Sequence, residues 1–138
     1  MKKLLLSFCF LFFIINSNVA QEKGSHKIIF QCSTPDTMAQ KALMKQLGNI
    51  LSVEPNTKIE IVCHGPGLNM LVDDKSVVKD KIKSFYDKGV VFNACEFSMK
   101  ERNVDKSQIT SNVSFVSAGI LYIVSKQEQG WSYIKAGF

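Results

Sequence analysis

Three short apolar runs, KIIFQC, KIEIVC and VVFNAC, each end in a cysteine, and each is followed at once by turn-forming or helix-starting residues. Runs of this length, dense in isoleucine, valine and phenylalanine, are the pattern of strands covered on both faces. Between them the periodicity changes. Thr34 and Pro35 offer a cap and a first helical position, and Leu43, Leu47, Ile50 and Leu51 then recur at the spacing of a core-facing helix. After the second run HGPGL breaks the chain and DDKS supplies caps. Val78, Ile82 and Phe85 form one stripe, ahead of Gly89 where a helix end takes a left-handed residue. The third run passes into a short helical piece over Phe97–Arg102. NVSFVS reads as a fourth strand, GILYIVSKQEQ as a helix through Ile120, Ile123, Val124 and Gln127 ended by Gly130, and WSYIK as an edge strand.

Strands alternating with helices at this interval require crossover connections. The expected fold class is therefore α/β, a three-layer α/β/α sandwich around a mostly parallel five-stranded sheet.

Ahead of this pattern, Lys2 and Lys3 precede an apolar run from Leu4 to Ile15, followed by NSN and the small residue Ala20. That order is a secretory signal with cleavage expected after Ala20, and the run is short for a membrane span. Residues 1–20 are assigned to the signal and 21–138 to one domain, enough chain for a single core. The expected location is periplasmic or secreted, with no membrane attachment after cleavage. Loss of Lys2 and Lys3 lowers the formal net charge from +5 to +3. The remaining lysines are interspersed with acids, which argues against a nucleic-acid groove.

Of the 4 cysteines, Cys9 lies in the signal and Cys32, Cys63 and Cys95 remain. An odd count in an oxidising compartment leaves a thiol without a partner in its own chain. Sites in open parallel sheets gather outside the carboxyl ends of the strands, which is where all three cysteines fall, so they are expected to share one edge. Cys95 is the leading catalytic candidate. The helical turn after it offers amides that favour the thiolate, and Lys100 or Arg102 would add positive charge if the turn folds back toward it. The plainer reading of Cys95 is a small buried hydrophobe.

His64, with Gly65, Pro66 and Gly67 holding an exposed turn, either serves a ligand pocket or caps a carbonyl. Cys63 alternates with Ile59 and Ile61 and reads as packed inward, Cys32 is open between pocket and core, and a Cys32–Cys63 disulfide is an arrangement the sequence does not decide. STPDT stands where a phosphate loop would lie but has no glycine, and no CxxC or HxxxH spacing pre-organises a metal. No cofactor and no metal are expected. Asp73 and Asp74 read as helix capping, and Trp131, Tyr133 and Phe138 as edge packing or a subunit contact.

The segments KIIFQCS, IEIVCHGPGL, KGVVFNACEFSMKERNV and VSFVSAGILYIVSKQEQGWSYIK, in that order, resemble the DsrE/DsrF-like family over nearly the whole chain beyond the signal. The likeness rests on HGPGL, on the strand-terminal NAC with its polar helix, and on AGI with the QEQGWSYI ending. It implies a sandwich that assembles into trimers or hexamers, and a sulfur carrier or thiol-exchange protein holding a persulfide on Cys95. His64, Gly65 and Gly67 would shape the pocket. Such a protein is at most a sulfurtransferase-like carrier, and its sulfur donor and acceptor proteins are unnamed. Cys32 and Cys63 match no motif of the family; they resolve the persulfide or are inert. The alternative is an oligomeric module that binds a small ligand or soft metal near His64 and Cys95 without moving sulfur.

Overall fold

The structure, a computed structural model, describes residues 26–137; the signal assigned to residues 1–20 lies outside them. The elements run β1 (Lys27–Cys32), α1 (Thr37–Val53), β2 (Lys58–Cys63), a 3-10 turn (Gly65–Leu71), α2 (Lys79–Tyr86), β3 (Val91–Cys95), α3 (Glu96–Glu101), a 3-10 turn (Lys106–Gln108), β4 (Val113–Val116), α4 (Gly119–Glu128) and β5 (Ser132–Ala136). The five strands form one sheet in the order β4-β3-β2-β1-β5 with every pairing parallel. Among the described residues no helix is long and apolar enough to cross a membrane.

Side chains alternate across a strand, so each strand feeds two different layers. Phe30, Ile59, Ile61, Phe92 and Ala94 point to one face. There they meet Leu43, Met44 and Leu47 of α1, and Ile82 and Phe85 of α2, in the main core. The other face is thin. Its apolar part is Ile29, Val62 and Ile123, with Val116, Tyr122 and Trp131 packed around them, and α4 is what covers it.

Polar contacts finish that second interface. The Lys126 ammonium lies 2.5 Å from Glu60 Oε1, and the Tyr122 hydroxyl donates to Glu60 Oε2 at 2.6 Å. Lys126 also stands over the Trp131 ring at 4.4 Å. Burial alone would pull the lysine's pKa down; the contacts with Glu60 and Tyr122 outweigh it and hold the pKa above its ordinary value. The buried carboxylate of β2 therefore has a cation and a hydroxyl from one turn of α4, and the helix cannot slide along the sheet without breaking both.

Several expectations shift in detail. Helix α1 starts at Thr37 and is capped by Asp36, whose Oδ1 accepts from the Met38 amide at 2.8 Å, whereas Thr34 Oγ1 accepts from the Asp36 amide one turn earlier. Asp73 and Asp74 cap nothing: α2 begins at Lys79 without a side-chain cap, and Asp73 instead pairs with Lys79. Ile120 and Val124, expected on the core stripe of α4, are 53% and 43% exposed. The stripe that meets the sheet is Tyr122, Ile123 and Lys126.

The HGPGL segment is not the exposed turn that its two glycines suggest. It winds into a 3-10 turn whose Leu68, Met70 and Leu71 are buried, closing the core at the carboxyl ends of β1 and β2. Gly67 makes the closure fit, since a Cβ there would lie 2.2 Å from the Cys32 carbonyl oxygen. Gly48, inside α1, is the opposite case: its Cβ would meet only Phe85 Cζ, at an ordinary 3.8 Å. Gly67→Ala is expected to cost about 1–3 kcal/mol through overpacking. Gly48→Ala is expected to stabilise by about 0.5–1 kcal/mol through helix propensity. Urea unfolding of both variants checks the opposite signs.

Candidate functional site

Cys95 is the last residue of β3 and the residue from which α3 departs. Odd register places its side chain opposite Ala94, on the thin face under the start of α4. The residue is only 4% exposed, but what surrounds its sulfur is not simply aliphatic. The Gly119 amide, first residue of α4, donates to Sγ at 3.2 Å. Ser98, one turn into α3, places its hydroxyl where it favours the charged form of the sulfur, while its oxygen accepts from the Gly65 amide at 2.8 Å. One hydroxyl thus links the glycine turn to the thiol.

Burial by itself would raise the Cys95 pKa. The Ser98 hydroxyl and the amides of Ser98, Gly119 and Phe97 outweigh it and bring the thiol below its ordinary value. Among the described residues no cation takes part. Lys100 and Arg102, expected to lend charge, lie toward the far end of α3 and are absent from the groups that lower this pKa. The nearest lysine pairing in this region, Lys106 with Glu96, neutralises a carboxylate instead. Thiolate stabilisation here rests on oriented dipoles.

His64 follows β2 and shares the Cys95 face. Gly119 is wedged against both: a Cβ on it would lie 3.2 Å from Cys95 Cβ and 3.3 Å from His64 Cβ. The imidazole is held from the side by a polar chain that begins on the edge strand. The Tyr133 hydroxyl donates to Gln31 Oε1, which turns the Gln31 amide nitrogen toward His64 Nε2, 2.7 Å away. Nε2 then accepts and the ring proton sits on Nδ1. Burial also lowers the His64 pKa, so the ring is neutral at neutral pH and gains charge only below its usual range.

Cys32 and Cys63 reach the same edge of the sheet as Cys95 but point to the opposite face. They are register partners on β1 and β2, both free, both at most 1% exposed, and both in the main core. The sheet stands between them and Cys95, so within one chain they do not meet a persulfide there. Gly65 belongs to the site through its amide on Ser98. Gly67 belongs to the cover over Cys32. Among the described residues no three His, Cys, Asp or Glu side chains converge as a metal set. The residues that the sequence did not assign to the site are Ser98, Gly119 and Gln31, together with Tyr133, which it read as edge packing or a subunit contact. A readable hint existed for Gly119, because a glycine opening a helix directly after a strand places its amide at the strand's carboxyl end.

The DsrE/DsrF-like family model matches residues 26–136, and the chain belongs to that family. Two solved structures are similar. The protein of unknown function MTH1491 from Methanobacterium thermoautotrophicum is 26% identical with a TM-score of 0.76, over 80% of this chain and 98% of its own. The conserved protein of unknown function BT1422 from Bacteroides thetaiotaomicron shares the fold at 16% identity, with a TM-score of 0.65 over 79% and 93% of the two chains. Among curated proteins none matches this chain.

Because the thiolate is the nucleophile, the alkylation rate of Cys95 should climb with pH and level off at a midpoint below that of an ordinary thiol. Ser98→Ala removes a donor to the charged form, and the midpoint should move upward. A midpoint unchanged in Ser98→Ala, measured by iodoacetamide kinetics with peptide mapping, counts against this account of the site.

Proposed function

We propose that this protein is an exported sulfur carrier in which Cys95 accepts, holds and passes on one sulfur atom as a persulfide. The observation that carries the reading is the setting of the Cys95 sulfur: it is shielded from bulk water yet accepts from the Gly119 amide, and the Ser98 hydroxyl and the amides at the start of α3 favour its charged form against burial. That setting favours an anionic sulfur and owes nothing to fixed charge, so it serves a thiolate and a persulfide anion alike. Membership of the DsrE/DsrF-like family supports the same reading.

In the loading step the Cys95 thiolate attacks a sulfur of a polysulfide or of a donor's persulfide. A new sulfur–sulfur bond forms, the donor's bond breaks, and the donor leaves as the anion. Transfer reverses the geometry: an acceptor thiolate takes the terminal sulfur and Cys95 departs as thiolate, stabilised by the same amides. No electron is gained or lost overall and no cofactor is needed. The neutral His64, with Nδ1 protonated, lines the approach and adds a dipole without a permanent charge. The carrier is at most sulfurtransferase-like, its donor and acceptor being separate proteins or small sulfur species.

Export follows from the leader assigned to residues 1–20 and places this exchange in the periplasm or outside the cell. Self-association is part of the same reading. Phe97, Ile120, Leu121 and Val124 expose between 43% and 69% of their surface around the start of α4. Beside them, an open hollow of about 390 Å³ is lined by Val116, Ser117, Ala118, Leu121 and Tyr122. Covering this apolar rim with further copies, as a trimer or hexamer, would also limit access to Cys95 to small sulfur species or an inserted acceptor loop. The rival binding reading has fewer ligands to work with, since Cys32 and Cys63 face the other layer.

Incubation with polysulfide should raise the intact mass of the wild-type protein in steps of one sulfur, reversed by dithiothreitol. Cys95→Ser should show no such gain. Sulfur uptake undiminished in Cys95→Ser would end the assignment.

A further inference from the structure

We propose that Cys32 and Cys63 form a second thiol centre, separate from Cys95, that closes to an intramolecular disulfide by exchange with small disulfides. The two residues are register partners at the carboxyl ends of adjacent parallel strands, and their side chains share one face. Paired positions on neighbouring strands are about 4.8 Å apart, inside the Cα range that a disulfide spans. They are also polarised as a pair. The neighbouring Cys63 thiol and the Thr34 amide, against burial, draw the Cys32 pKa down, whereas burial first and Cys32 second push Cys63 well up. One sulfur is the attacker and the other keeps its proton until the first has reacted.

The chemistry balances with a low-molecular-weight disulfide as oxidant. The Cys32 thiolate attacks one sulfur of the reagent, forming a mixed disulfide and releasing one thiolate. Cys63 passes its proton to that leaving thiolate and attacks the Cys32 sulfur, and the second half of the reagent departs as a thiolate that takes up the proton Cys32 released to solvent on ionising. The protein loses two hydrogens and the reagent gains them. Cover over the pair comes from the 3-10 turn Gly65–Leu71, packed on the Cys32 carbonyl at Gly67 and tied by the His64 amide to that same oxygen at 3.1 Å. Entry therefore waits on a lifting of this turn, and exchange is slow beside that of an open thiol. Because the turn also donates to Ser98 through Gly65, opening it loosens one donor to Cys95.

The test uses the full chain carrying Cys95→Ser, held folded with oxidised glutathione, then denatured, alkylated with iodoacetamide and mapped by peptide so that Cys9 does not enter the count. The expected result is that Cys32 and Cys63 escape alkylation together, appear as one cross-linked peptide pair, and are both alkylated after reduction. The Cys32→Ser, Cys95→Ser double variant should leave Cys63 free to alkylate. Alkylation of both cysteines without prior reduction overturns the proposal, and so does a lasting mixed disulfide on either one. The wild-type protein under the same mapping gives an independent measurement should Cys95→Ser fold poorly. Since Cys95 is absent from the first protein, the outcome stands apart from the sulfur-carrier reading.

Discussion

The docking of α4 through Glu60, Lys126 and Tyr122 is the interaction on which the site depends. The face it covers is thin, with three buried apolar side chains, Ile29, Val62 and Ile123, each contributing about 1.5–3 kcal/mol. Apolar packing of that size holds a helix down but leaves its position along the sheet loosely specified. An ion pair between a strand carboxylate and a helix ammonium, with a tyrosine hydroxyl on the second oxygen, defines it. Removing one partner of a buried pair strands the other, typically at about 3–5 kcal/mol. The same placement brings the first amide of α4 onto the Cys95 sulfur, about one turn ahead of Tyr122 and two ahead of Lys126.

A parallel sheet divides what its edge collects. Three cysteines end three neighbouring strands, and the two-residue period of the strand sends them to different layers. Cys32 and Cys63 enter the main core between α1 and the 3-10 turn, where burial is the dominant influence on Cys63. Cys95, one residue out of phase with Cys63 in the β2–β3 register, enters a layer where helix starts and a serine converge. Chemically identical side chains thus acquire opposite acidities within one sheet edge. Dipoles aimed at the sulfur, with no cation contributing among the described residues, are what separates Cys95 from a merely buried thiol.

Much of the fold was legible in the residues. Period-two and period-3.6 patterns are local, so KIIFQC, KIEIVC and VVFNAC announce buried strands, Leu43 and Leu47 announce a core-facing helix, and Gly89 and Gly130, with φ of 87° and 82°, end their helices as their positions suggest. Less legible was the 3-10 turn after His64, because glycine and proline advertise a turn without saying whether it faces water or seals a core. The core stripe of α4 was misjudged for a related reason. Tyr122 and Lys126 look like surface residues until Glu60 is known to lie beneath them.

The amino-acid order alone determined the alternation of strand and helix, the parallel sheet that alternation requires, and the placing of three cysteines at strand ends, because each of these follows from short-range periodicity and chain connectivity. Which cysteine is activated was decided only in three dimensions. Gly119 lies 24 residues after Cys95 and Gly65 lies 33 before Ser98. Hydrogen bonds between residues so far apart exist only once sheet order, strand phase and the seating of α4 have brought them together.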